Sequence, residues 1–319
     1  MRCPVLFASL ALAAGVCAQQ PSKTNRNPDA ARLVTIDIPR FWQVFDEATL
    51  KDAGSAFQRD YLDSGSAGLH DFLENRIQSG RHLASTVAAR PRYYAAIREN
   101  TLALDHPPVI KEAIRASFRR LKEIYPAAVF PDVYFVIGAM NSAGTVSAAG
   151  LLIGLEMNAR GESTPVDELT DWERAVTGQI ANLPHIVAHE LIHIQQPADS
   201  GKTTLLRQAL NEGGADFIGE MISGGVINRV QRSYGDAHEQ ALWAEFRKEM
   251  LGEDLRHWMY QGDRAKDRPA DLGYYMGYKI CQAFYRRTSD KNEAVRRILH
   301  VTDPQEFLNE SGYDGGGPG

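Results

Sequence analysis

The stretch His185–Gln196, HIVAHELIHIQQ, holds His189 and His193 four positions apart, with Glu190 directly after the first. On a helix this spacing is about one turn, so both imidazoles project from one face and can reach a single cation. Glu190 falls one position round from His189, where a base acting on metal-bound water is needed. Pro184, just ahead, suits the first turn of such a helix because proline lacks an amide hydrogen that this position does not use.

The companion stretch is Leu210–Glu220, LNEGGADFIGE. Glu212 follows His193 with eighteen residues between them, long enough for the chain to turn at Pro197–Gly201 and return on a second helix, bringing a third ligand. That helix is expected from about Thr204 to Ile222, ended by Gly224-Gly225. Asp216 lies one turn beyond Glu212 and is placed to accept the other ring N–H of a ligating histidine. Three protein ligands leave a fourth position open, and nitrogen with carboxylate ligands suits one Zn2+ ion. His185 shares the face but lies a turn early, and His70, His82, His106, His238, His257 and His300 are isolated.

HELIH with NEGGAD resembles the pattern of the gluzincin metallopeptidases, both thermolysin-like and aminopeptidase-type. Tyr274 and Gly277 in GYYMGYK resemble the helix by which the aminopeptidase group presents a phenol to the tetrahedral intermediate, with Tyr278 and then His257 as the next candidates. GAMNS from Gly138 is similar to their substrate loop but lacks its glutamate, since Asn141 follows Met140, which argues against strict aminopeptidase specificity. From Ile38 to Phe307 the chain looks most like a predicted zinc-dependent protease family of bacteria. The resemblance implies an exported zinc metallopeptidase acting on a peptide or protein substrate. His189, His193 and Glu212 would hold the metal, Glu190 would be the catalytic base, Tyr274 would bind the oxyanion and Asp216 would orient a histidine. The alternatives are a non-catalytic envelope binding or assembly protein on the same scaffold, or a zinc hydrolase of non-peptide amides.

Around these motifs the 319 residues, 44% hydrophobic, suffice for a sizeable core. A net charge of −5 without a basic run points away from nucleic acid and anionic membrane surfaces as partners. MRCPVLFASLALAAGVCAQQ reads as a secretory signal peptide, residues 1–18, placing the mature chain in the periplasm or outside the cell. Val16 before Cys17 weighs against lipid anchoring there, and no later run is apolar enough to span a bilayer. With Cys3 and Cys17 removed, only Cys281 remains, which excludes a cysteine metal site.

The pattern predicts an α+β, mostly helical protein with a small sheet, and the resemblance implies a zincin-like core with that sheet beside the metal helix. Residues 19–32 form a flexible lead-in, 33–128 a helical region, 129–310 the catalytic region and 311–319 a frayed glycine-rich tail. Val133–Ile137 and Leu151–Leu155 are the expected strands, and the resemblance to gluzincins implies that the segment GTVSAAGLLIGLEM, containing the second, borders the cleft. The stretch from His238 to Tyr260 is expected to be helical.

Overall fold

The computed structural model describes residues 25–48, 51–106, 108–197 and 203–316; the signal-peptide reading, Cys17 and residues 317–319 lie outside them. The fold is α+β and mostly helical, with one four-stranded mixed sheet. Strands β1 (Leu33–Val34), β2 (Val133–Val136), β3 (Gly144–Val146) and β4 (Leu151–Gly154) lie in the order β1-β2-β4-β3. β1 and β2 pair in parallel, β2 and β4 in parallel, and β3 runs antiparallel on the outer edge of β4.

Both strands expected from sequence form, and two more join them. β1 is only two residues long and half-buried, too short for a period to be read. β3 lies in the small-residue connection between β2 and β4; a parallel pair cannot be closed by a tight hairpin, and this connection folds back on the sheet as a strand. β2 and β4 are buried at every position, matching their unbroken apolar runs.

Helices α1 (Asp37–Glu47), α2 (Ala53–Ala56), α3 (Ala67–Phe72), α4 (Gly80–Ala88), α5 (Pro91–Leu102) and α6 (Val109–Ile124) precede the second strand. Phe41 anchors an aromatic cluster there, with ring centroids 5.0 Å from Trp42, 5.3 Å from Phe57 and 5.4 Å from Tyr61. Helices α7 (Leu155–Asn158) and α8 (Asp171–Val176) follow the sheet, then α9 (Leu183–Gln195), α10 (Leu205–Ser223), α11 (Arg229–Glu249), α12 (Leu272–Arg287), α13 (Lys291–Leu299) and α14 (Pro304–Ser311). Pro184 sits in the first turn of α9, the Thr204 hydroxyl caps α10, and Gly224 ends α10 with φ of 80°. Among the described residues no helix is long and apolar enough to cross a membrane.

Three local expectations are corrected. The lead-in, where described, is held down rather than flexible. Asn25 and Phe130 exchange hydrogen bonds, and the Arg32 amide and guanidinium both donate to Asp132. The tail through 316 is docked rather than frayed: Tyr313 is buried, its phenol donates to Glu239, and its ring packs edge-on against Trp243. The helix expected to reach Tyr260 stops at Glu249, and residues 251–271 form a loop with Tyr260 at a φ of 53°.

α10 is the central helix, packed between α9 and α12. α10 and α12 meet backbone to backbone: a Cβ on Gly277 would overlap the carbonyl oxygen of Ala209, and one on Gly213 the amide of Tyr278. This close crossing carries Tyr274 toward the α9 face. Gly277→Ala must push the helices apart, and a loss of about 3 kcal/mol or more is expected in urea unfolding. A loss under about 0.5 kcal/mol would contradict the crossing.

Candidate metal centre

His189 and His193 stand one turn apart on α9, and Glu212 reaches them from α10. The α9–α10 approach is tight, since a Cβ on Gly219 would stand 3.3 Å from the His189 Cα. His189 and Glu212 are buried. The two Nε2 atoms are 3.1 Å apart, and Glu212 Oε2 lies 3.5 Å from His189 Nε2 and 3.3 Å from His193 Nε2. Ligand atoms at about 2.0–2.1 Å from a tetrahedral ion are separated by roughly 3.3 Å, so this triangle has the size of one tetrahedral face.

Hydrogen bonding fixes the tautomers. His189 Nδ1 lies 2.9 Å from the Asp216 carboxylate, which can only accept, so that nitrogen carries the proton. His193 Nδ1 lies 2.7 Å from Gln196 Oε1, whose own amide nitrogen donates to the Asn211 carbonyl. Both Nε2 atoms then turn bare lone pairs on each other and on a carboxylate. Only a shared proton or a cation resolves that arrangement, and the donor set fits a divalent ion with three ligands.

Burial works to lower His189, but hydrogen bonds to Asp216 and Glu212 outweigh it and hold the ring well above its ordinary range. His193 behaves alike: burial lowers it and the Glu212 charge more than compensates. Burial works to raise Glu212, while the two imidazoles pull it well below the usual carboxylate range.

Glu190 and Tyr274 border this triangle. Burial raises the Glu190 carboxyl above its ordinary value, and the side chain lies against Gly144 of edge strand β3, where a Cβ would press on it. The Tyr274 ring stacks near His189, centroids 6.4 Å apart at 18°. Asp216 is anchored on its far oxygen by Asn228 at 2.6 Å. Tyr278 packs against Phe217 under the Arg232 guanidinium, and His257 is paired with Glu249 at the surface. Neither points to the three candidate ligands.

Sequence reasoning missed four supporting residues. Gln196 lies one turn after His193 and Gln208 one turn before Glu212, spacings that could have marked them. Tyr260 donates to Glu212 Oε1 at 2.8 Å and Asn228 reaches Asp216, both from segments outside the two metal helices, where no spacing points to them.

The model for the family described as "Gliding motility protein GldB" matches residues 23–315. The chain belongs to the GldB lipoprotein family. No curated protein and no solved structure matches it significantly. Membership overturns the assignment to gluzincin proteases and, with it, the reading as a zinc metallopeptidase and hydrolase of peptide substrates. The physical reason is that His-Glu-x-x-His with a distant glutamate specifies how a cation can be held, and a scaffold can keep such a centre without the reaction.

Glu156 went unnoticed in the sequence and is wholly buried beneath the loop leading to β3. Its Oε2 accepts from the Gly138 amide at 2.7 Å, while Oε1 has no partner. Burial pushes its carboxyl from 4.5 up to about 7. An acid raised in the fold favours the folded state in its neutral form, so stability falls as pH rises from about 4.5 to about 7, then levels. Denaturation from pH 4 to 8 should show Glu156→Gln gaining up to about 3 kcal/mol on wild type across that window. Parallel profiles would contradict the buried carboxyl.

Proposed function

We propose that the protein is a lipid-anchored envelope component of the gliding-motility kind that acts by binding and assembly, and that it holds one Zn2+ through His189, His193 and Glu212. The observation that carries this reading is the family match across residues 23–315. The lack, among the described residues, of any helix suited to crossing a membrane is compatible with attachment by a lipid. The scaffold we infer is zincin-like, a reading supported by metal helix α9 packing against edge strand β3.

Membership in a lipoprotein family, matched from residue 23 onward, supports anchoring through the upstream Cys17, against which the sequence alone weighed. Val16 is a poor neighbour for a lipidated cysteine, yet Cys17 follows directly on an apolar run with a positive start, which an acylated export signal also requires. Anchoring through Cys17 replaces release into the periplasm or medium.

Zinc held by His189, His193 and Glu212 would crosslink α9 to α10, and its binding free energy would add to folding free energy. His189 and His193 would hold the ion from α9 and Glu212 from α10. Asp216 and Gln196 hold the rings in the tautomer that leaves Nε2 free. Glu190 and Tyr274 line the centre as wall residues.

Binding and hydrolysis separate on one substitution. Glu190→Gln should keep stoichiometric zinc and fully restore the motility or envelope defect of a deletion strain, whereas Glu212→Ala should lose most zinc and restore poorly. Failure of zinc-loaded Glu190→Gln to restore would sink the non-catalytic reading. Feeding cells an alkyne-tagged palmitate should label wild type and leave Cys17→Ser unlabelled in the soluble fraction; equal labelling would remove Cys17 as the anchor.

A further inference from the structure

Glu212 gives its two oxygens separate duties. Oε2 faces the histidines, while Oε1 accepts from the Tyr260 phenol at 2.8 Å and from Gln208 at 3.3 Å. Gln208 also donates to the phenol oxygen, closing a three-membered network on the side of the carboxylate away from the rings.

The backbone around Tyr260 is arranged to deliver that phenol. Tyr260 sits at a φ of 53° and Asp271, which closes the same loop, at 64°. A bulky aromatic in the left-handed region is uncommon and persists where its surroundings hold it. Here they do. The Gln261 amide donates to Asp271 Oδ1 at 2.8 Å and the Asp271 amide donates back to Gln261 Oε1 at 3.0 Å. Arg264 donates to the Tyr260 carbonyl at 2.6 Å.

We infer that Tyr260 is a positioning residue that keeps Glu212 a one-oxygen ligand, and so holds the centre to the four-coordinate arrangement that a small ion such as zinc takes. The inference rests on the metal reading above. Calcium takes six to eight oxygens and commonly both oxygens of a carboxylate, whereas a tetrahedral ion on two imidazoles needs only one. With Oε1 held by a phenol and an amide, the second oxygen is already engaged.

The test uses the detergent-solubilised full chain, stripped of metal, as wild type, Tyr260→Phe and Gln208→Leu. Cobalt(II) reports coordination through its visible absorption, and zinc is titrated against a chromophoric chelator. Wild type should give the intense bands of four-coordinate cobalt. Tyr260→Phe should weaken them toward a higher-coordinate spectrum and lower zinc affinity about 10–100-fold, with Gln208→Leu moving the same way by less.

Phenylalanine keeps the ring, so metal-free melting should stay near wild type. A Tyr260→Phe protein with unchanged cobalt bands and zinc affinity overturns the inference. Should that variant misfold, unchanged bands in Gln208→Leu overturn it equally. A wild type that takes up neither ion overturns the metal reading and this inference together, a result distinct from a wild type that binds while its variants match it.

Discussion

Two imidazole nitrogens with free lone pairs, 3.1 Å apart and facing one buried carboxylate oxygen, are the constraint around which this molecule is organised. Left alone, the arrangement needs an added proton; given a divalent ion, it becomes a crosslink. The packing nearby serves that convergence. α10 lies close enough to α9 for Glu212 and Asp216 to reach the rings, and the glycine crossing with α12 brings Tyr274 against the same site. The sheet contributes its edge strand β3, on which Glu190 rests.

Around the triangle every remaining polar atom of the ligands has an occupant. Asp216 and Gln196 take the two Nδ1 protons, Asn228 holds the far oxygen of Asp216, and Tyr260 with Gln208 holds the far oxygen of Glu212. Outer partners of this kind fix ring orientation and ligand basicity. They come from α9, α10, the start of α11 and the loop before α12, so an ion at the centre would couple four separate parts of the chain.

Much of this centre was legible in the sequence because helices convert spacing into direction. His189, His193, Glu212 and Asp216 are set by two helical periods, and Pro184, Thr204 and Gly224 mark helix boundaries that the structure keeps. Tyr260 and Asn228 were not legible, since loop geometry depends on contacts distant in sequence, such as the Gln261–Asp271 exchange. β1 escaped for a different reason: two half-buried residues carry no period, and only the neighbouring β2 makes them a strand. The activity was misread because ligand spacing reports coordination, while the reaction depends on what else enters the site. Family membership, not the motif, removed the protease reading.

X-ray absorption at the zinc edge, on protein purified from its own envelope without added metal, tests the central claim most directly. The account predicts a light-atom shell of two imidazoles and one singly bound carboxylate, lost in a His193→Ala protein. Sulfur ligands, a six-oxygen shell, or no zinc in the purified wild type would contradict it.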